Sequence, residues 1–284
     1  MIRIFTDNGS NIPDDLIREH NLGVIELICC VEGTPMDFSE PFDGKTFYDN
    51  MRAGAEVSTA MPSLGVFLDG FGAALESGDD VIYVGMSGGI SGTNALAQSA
   101  ARELQEQYPD RRIAVIDTRA ASLGEGFPAL YAAKLVEEGR DFDDVLRLTQ
   151  DNADHMWQVF TVDDLRYLRR TGRLYSAAVK VTNLLHVKPI LTADEVGHIV
   201  LRFMNVGRRR ALDTLAARYR VRCTDMTGPV GIAHADSPED TAYLIEKLRA
   251  AGCEAEIMTV MYEPVTGSHV GPGAVALFFY GGER

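Results

Sequence analysis

Short apolar runs alternate with helix-period segments along most of the chain, and the runs end on polar or glycine residues. Ile2 to Phe5 ends at Thr6-Asp7, Val81-Ile82-Tyr83-Val84 at Gly85, and Ile113 to Ile116 at Asp117. Runs of this length with turn residues at their ends predict buried strands. Val24 to Val31 reads as one more. Between them the spacing predicts helices from Pro13 to Asn21, Gly44 to Arg52, Leu64 to Leu75 (with Ser63 as N-cap), Pro128 to Glu138 and Phe142 to His155. Strands alternating with helices predict a parallel α/β sheet. Such sheets collect ligands at the carboxyl ends of their strands, where Asp7, Ser87 and Asp117 should converge.

The pattern restarts with a strand from Val159 to Val162 and a helix-like stretch, Asp163 to Arg170, capped by Asp163. Lys188 to Leu191 and Ile199 to Phe203 predict paired strands around the turn Asp194 to Gly197. A helix from Arg209 to Arg220, a strand from Pro229 to Ala233, a helix from Pro238 to Ala251 and strands Glu254 to Val260 and Ala274 to Phe279 follow. The expected architecture is two α/β domains, residues 1–156 and 157–284, the first with a mostly parallel sheet.

The stretch with the clearest chemistry is Ser87-Gly88-Gly89-Ile90-Ser91-Gly92-Thr93, placed after a strand and before a helix. Glycines permit close backbone approach, and the hydroxyls with the free N–H groups of a helix start form an anion cradle. A phosphate, a carboxylate or a reaction oxyanion would each suit it. No lysine lies in the stretch and no Gly-Lys-Ser/Thr ending is present, which disfavours a phosphate loop. Gly85-Met86-Ser87-Gly88-Gly89 also fits the pattern of a nucleophile elbow, which would make the chain a serine hydrolase using Ser87, Asp117 and either His234 or His269. That elbow needs its helix to begin at the serine. Gly88-Gly89 delays the helix, so a binding turn is the better expectation.

Charge narrows the partners. Lys plus Arg is 27 against 41 Asp plus Glu, a formal net charge of −14. That field repels nucleic acid and anionic membrane surfaces, so an anionic ligand must meet a local positive site. Arg166, Arg169, Arg170 and Arg173, with Lys180 and Lys188 beyond them, offer one; Arg208-Arg209-Arg210 reads as surface. His269 lies in a glycine-rich loop expected from Glu263 to Gly273. The other histidines show no metal-ligand spacing, and no catalytic metal or cofactor is expected. Cys29, Cys30, Cys223 and Cys253 include no Cys-x-x-Cys pair and are expected to be reduced. With no basic leader, h-region or bilayer-length apolar run, the expected location is cytoplasmic, without stable membrane anchoring.

Several stretches together resemble the DegV family of bacterial fatty-acid-binding proteins. They are Thr6-Asp7 at the first strand, Thr59-Ala60-Met61-Pro62-Ser63, the Ser87 to Thr93 turn, Asp163 to Arg173, Lys188-Pro189-Ile190-Leu191 and Gly267-Ser268-His269-Val270-Gly271-Pro272-Gly273. The resemblance spans the whole chain. It implies two α/β domains, a lipid tunnel holding a long-chain fatty acid, and a carboxylate site between the domains. The residues implied for that site are Thr59, Ser91, His269 and Arg173 or Arg170. It further implies a carrier rather than an enzyme, one that hands its ligand to a separate fatty acid kinase for acyl-phosphate formation. A protonated His269 would join the hydroxyls in replacing the hydration of the carboxylate. This chain departs from the family pattern at Ala60-Met61, where Ser-Gln is usual, at Gly88, where a serine is frequent, and at Thr171, where a glycine is usual.

Overall fold

The computed structural model describes residues 1–175 and 186–282. Lys180 of the expected basic patch lies outside the described residues. Contacts divide the chain into two compact units, one of Met1–Ile28 and Thr59–Asp154, the other of Cys29–Ser58 and His155–Arg284.

In chain order the elements begin with β1 (Ile2–Asp7), α1 (Asp14–Glu19), β2 (Gly23–Ile25), β3 (Ile28–Val31), β4 (Thr34–Pro35), α2 (Gly44–Ala53) and β5 (Val57–Ala60). They continue with α3 (Leu64–Glu76), β6 (Asp80–Gly85), α4 (Thr93–Gln107), β7 (Ile113–Asp117), α5 (Leu123–Glu137) and α6 (Phe142–Asp154). The remainder is β8 (Met156–Thr161), α7 (Arg166–Arg170), β9 (Val187–Ala193), β10 (Ile199–Val206), α8 (Arg208–Arg222), β11 (Val230–His234), α9 (Pro238–Ala250), β12 (Ile257–Met261), α10 (Pro264–Val270) and β13 (Val275–Tyr280).

The first unit is built on a parallel sheet in the order β2-β1-β6-β7. Its core is aromatic: Phe5, Phe67, Phe71 and Tyr83 meet edge to face or tilted, with ring centroids 5.1–5.9 Å apart. Edge contacts of this kind add to the burial of large apolar rings. The apolar run Val24 to Val31, expected as one strand, is two. Asn8 explains the break, since its side chain accepts from Leu27 N (2.9 Å) and donates to Leu27 O (3.3 Å). Those backbone groups are thereby withdrawn from any sheet ladder. The helix expected from Pro128 starts earlier, at Leu123, with Pro128 inside it.

The second unit carries a mixed sheet, order β10-β9-β8-β13-β11-β12, in which only β11 and β12 run parallel. Tyr219, Leu215, Val159, Leu277 and Phe279 pack in its core. The expected strand pair appears as β9 and β10. Three expectations are corrected here. The loop from Glu263 to Gly273 contains a helix, α10, because Pro264 opens it with a preset φ and Glu263 caps Val265 N and Thr266 N. Asp163 does not cap α7: the N-cap is Leu165, Asp164 accepts from Arg166 N at 2.8 Å, and Asp163 binds Lys188 instead. Arg208 is not a surface residue: it is half-buried and paired with Asp240 at 2.8 Å.

Beneath the first sheet's carboxyl end lies a buried acid pair. Asp7, at the end of β1, is fully buried, accepts from Gly9 N (2.9 Å) and Tyr83 OH (2.6 Å), and lies close enough to the equally buried Glu125 of α5 for each to act on the other's charge. Burial pushes Glu125 well above the carboxylate range, and the Asp7 charge adds to the shift. Burial raises Asp7 as well, despite the three donors around it. Two carboxyls share such a contact when one keeps its proton, and Glu125 keeps it. A group raised in the folded state supports stability below its unfolded pKa and loses that support as pH rises through its folded pKa. Glu125→Gln preserves the shape, the acceptor for Thr6 Oγ1 (2.9 Å) and a donor toward Asp7. We expect its stability in urea to gain on the parent's as pH rises from the ordinary carboxylate range toward the folded pKa of Glu125, by about 1.4 kcal/mol per pH unit, and to keep a constant lead above it. A variant that loses ground on the parent as pH rises would contradict a protonated Glu125.

Candidate functional site

In the first unit the strand ends converge as expected. Asp7 Oδ2 accepts from Met86 N at 3.4 Å, and Asp117 Oδ2 accepts from Gly88 N at 3.1 Å, so two carboxylates pin the start of the glycine-rich turn. A Cβ on Gly88 would lie 2.8 Å from Asp117 Oδ2, so glycine at this position is what lets the carboxylate reach the backbone. Ser87 is fully buried, its Oγ accepts from Gly89 N at 3.1 Å, and α4 begins only at Thr93. Neither its burial nor its place before the helix suits a nucleophile at an elbow.

Ser91 is half-buried and differently placed. Its Oγ accepts from Thr93 N at 3.3 Å and lies 2.7 Å from Thr93 Oγ1. Thr93 is itself fully buried, so it holds the Ser91 side chain in one rotamer without being exposed. When the Thr93 hydroxyl donates to Ser91 Oγ, the Ser91 hydrogen is left to point at an acceptor. Thr93, one of the hydroxyls expected in the cradle, is a positioning residue for Ser91. Thr59 sits in β5, half-buried. The segment after it touches the turn through Met61, whose Sδ occupies the space where a Cβ on Gly92 would fall, 2.6 Å away. Thr59 and Ser91 thus lie on two segments that pack together.

In the second unit α10 packs against α7. Gly271 makes the contact possible: its φ is +77°, and a Cβ there would run into the ring of Tyr167. His269, in the last turn of α10, is brought close enough to the arginines after Tyr167 for their charges to act on it. Burial, then Arg173, then Arg170 hold its imidazole down at about 4. The protonated His269 expected from sequence is therefore corrected: in the free protein the ring is neutral at pH 7, because burial disfavours its charge and two guanidiniums add to the effect. A neutral imidazole still donates one hydrogen bond.

Arg173 is half-buried, its guanidinium donates to the carbonyl of Thr171, and burial lowers its own pKa. Thr171 fits where it stands because its hydroxyl donates to Tyr167 O at 3.0 Å. Arg170 lies over the ring of Tyr167 at 5.8 Å. Arg166 is tied to Asp164 on an exposed face. His234, the other triad candidate, accepts from Ser237 N at 3.2 Å, and burial lowers its pKa.

Among the described residues no group of His, Cys, Asp and Glu is arranged to hold a metal ion, and no helix is long and apolar enough to cross a membrane. The four cysteines are free thiols, and burial pushes Cys29 up to about 12, which makes it inert as a nucleophile at neutral pH.

The chain resembles known proteins over its full length. A family model described as "Uncharacterised protein, DegV family" matches residues 1–281. A DegV domain-containing protein of Clostridium perfringens is 31% identical over 98% of this chain and 97% of its own. Among solved structures, a Thermus thermophilus DegV family protein described for its fatty acid binding is 29% identical, with a TM-score of 0.88 and 99% of each chain covered. Bacillus subtilis DegV, described as a fatty acid binding protein, is 28% identical, with a TM-score of 0.84 and 98% of each chain covered.

Proposed function

The chain belongs to the DegV family, and from that premise we propose that it is a carrier of long-chain fatty acids. The acyl tail lies in a buried tunnel, and the carboxylate is held by Thr59, Ser91, His269, Arg173 and Arg170. The observation that carries this reading is the half-buried His269 beside Arg173 and Arg170, a concentration of positive charge and donors in a chain of net charge −14. The full-length similarity to DegV proteins described as fatty-acid binding supports the identity of the anion.

The energetics divide the work. Each buried CH2 contributes about 0.8 kcal/mol, so a tail of roughly a dozen contributes about 10 kcal/mol before association costs. The carboxylate loses its hydration and needs donors in exchange. The hydroxyls of Thr59 and Ser91, the neutral imidazole and the guanidiniums supply them, so the head group fixes orientation while the tail supplies affinity. The chain does no chemistry on the ligand and presents it to a separate fatty acid kinase for acyl-phosphate formation.

Two measurements on one preparation separate the parts of this reading. Delipidated chain should take up a fluorescent fatty acid at one per protein and release it to oleate. With a fatty acid kinase and ATP, hydroxylamine should then trap the acyl phosphate as a hydroxamate. Uptake without hydroxamate would remove the handoff alone. Failure of uptake, or labelling of Ser87 by a fluorophosphonate, would remove the carrier reading.

A further inference from the structure

A cleft in the second unit shares none of the proposed clasp residues. It is bounded by β8, β9, β10 and α8 and encloses about 250 Å³. Val159, Ile190, Trp157 and Phe203 give it an apolar lining. Arg202, Arg218 and Arg222 stand around it, with Arg218 4.4 Å above the Phe203 ring and Arg222 5.0 Å above the Trp157 ring. Phe203 is 43% exposed.

Charge makes this cleft unusual. Acidic residues outnumber basic ones 41 to 27 in the chain, yet none of these three arginines pairs with a carboxylate among the described residues. α8 carries one acid, Asp213, which is engaged by Tyr243 OH at 2.8 Å. A guanidinium lying on a ring keeps its edge N–H donors directed outward, where they suit a carboxylate.

We infer that this cleft docks an acidic, extended segment of another protein, which inserts one bulky apolar side chain between Trp157 and Phe203 and sets its carboxylates on Arg202, Arg218 and Arg222. The volume is below the roughly 300–1,000 Å³ of sites that enclose a whole small ligand, and it suits a single side chain. Tryptophan and arginine are the residue types that most often anchor interfaces. A second copy of the chain docking through this same face is disfavoured, because a two-fold contact sets like charges against each other.

Trp157 is the only tryptophan of the chain, so its emission reports on the cleft alone. The probe is the capped peptide Asp-Glu-Phe-Glu-Asp, titrated into the full chain. We expect a saturable change in emission, with a midpoint weakened about tenfold or more, near 1.4 kcal/mol, by Arg218→Glu or by Arg202→Glu. Replacing the peptide's acids with lysine, or its phenylalanine with alanine, should weaken it as much. Unchanged melting temperatures establish that the variants fold, and the two substitutions lie on different elements. No saturable change, or an equal response to the lysine peptide, would overturn the proposal. So would phenylacetate acting at the same midpoint, which indicates a small-molecule site, or a response to phosphatidylglycerol vesicles alone, which indicates a lipid surface.

Discussion

Arg173→Met should raise the pKa of His269 from about 4 and weaken fatty acid binding by a factor of about 30 or more. Both effects come from one charge. After burial, Arg173 is the largest influence holding the imidazole down, ahead of Arg170. Methionine keeps much of the apolar stem and removes the guanidinium, so the proton on His269 becomes less unfavourable and its titration moves toward 6.5. Removing one partner of a desolvated charge pair costs about 2–5 kcal/mol, which sets the expected loss of affinity. Proton NMR of the His269 ring across pH 3 to 8 reads the first effect, and displacement of a fluorescent fatty acid reads the second. A His269 that still titrates near 4 in the variant would show that burial and Arg170 set its pKa without Arg173, and the Arg173 guanidinium would lose its place in the clasp.

Ser91→Ala combined with His269→Ala should weaken fatty acid binding about 100-fold and leave the chain folded. A hydrogen bond to a charged group is worth about 1.5–3 kcal/mol, and the two sites need not be additive. Binding should not vanish, because the tail's contribution remains. The fold should lose about 1 kcal/mol at the start of α4, where Ser91 Oγ accepts from Thr93 N. Circular dichroism and thermal melting check the fold. Unchanged affinity in the double variant would refute these two residues as ligands of the carboxylate.

The parallel sheet was legible because β6 and β7 are continuous apolar runs and β1 is interrupted only by Arg3, the three ending in Gly85, Asp117 and Asp7, and those endings also located the turn. Local pattern was less informative where a distant side chain decides the backbone. Asn8 splits the run from Val24 to Val31, and no property of that run signals it. Helix α10 was hidden because Thr266, Gly267 and Ser268 have turn-like composition, while the Glu263 cap and Pro264 outweigh it. Nor does local pattern announce that residues Cys29–Ser58 make their contacts with the later half of the chain.

The chemistry follows the same division. The residue types of the clasp stand in the sequence, but the charge state of His269 does not, because it depends on burial and on two arginines that are near only after folding. Arg208 looked like a surface residue for the same reason. Its partners, Asp240 and Asp163, are remote in sequence.

The most direct test of the carrier reading is native mass spectrometry of the chain purified from bacteria without added lipid. The reading predicts a mass exceeding that of the polypeptide by one long-chain fatty acid, released as a free carboxylic acid on denaturation. A bare polypeptide mass that stays unchanged after incubation with oleate or palmitate would contradict it.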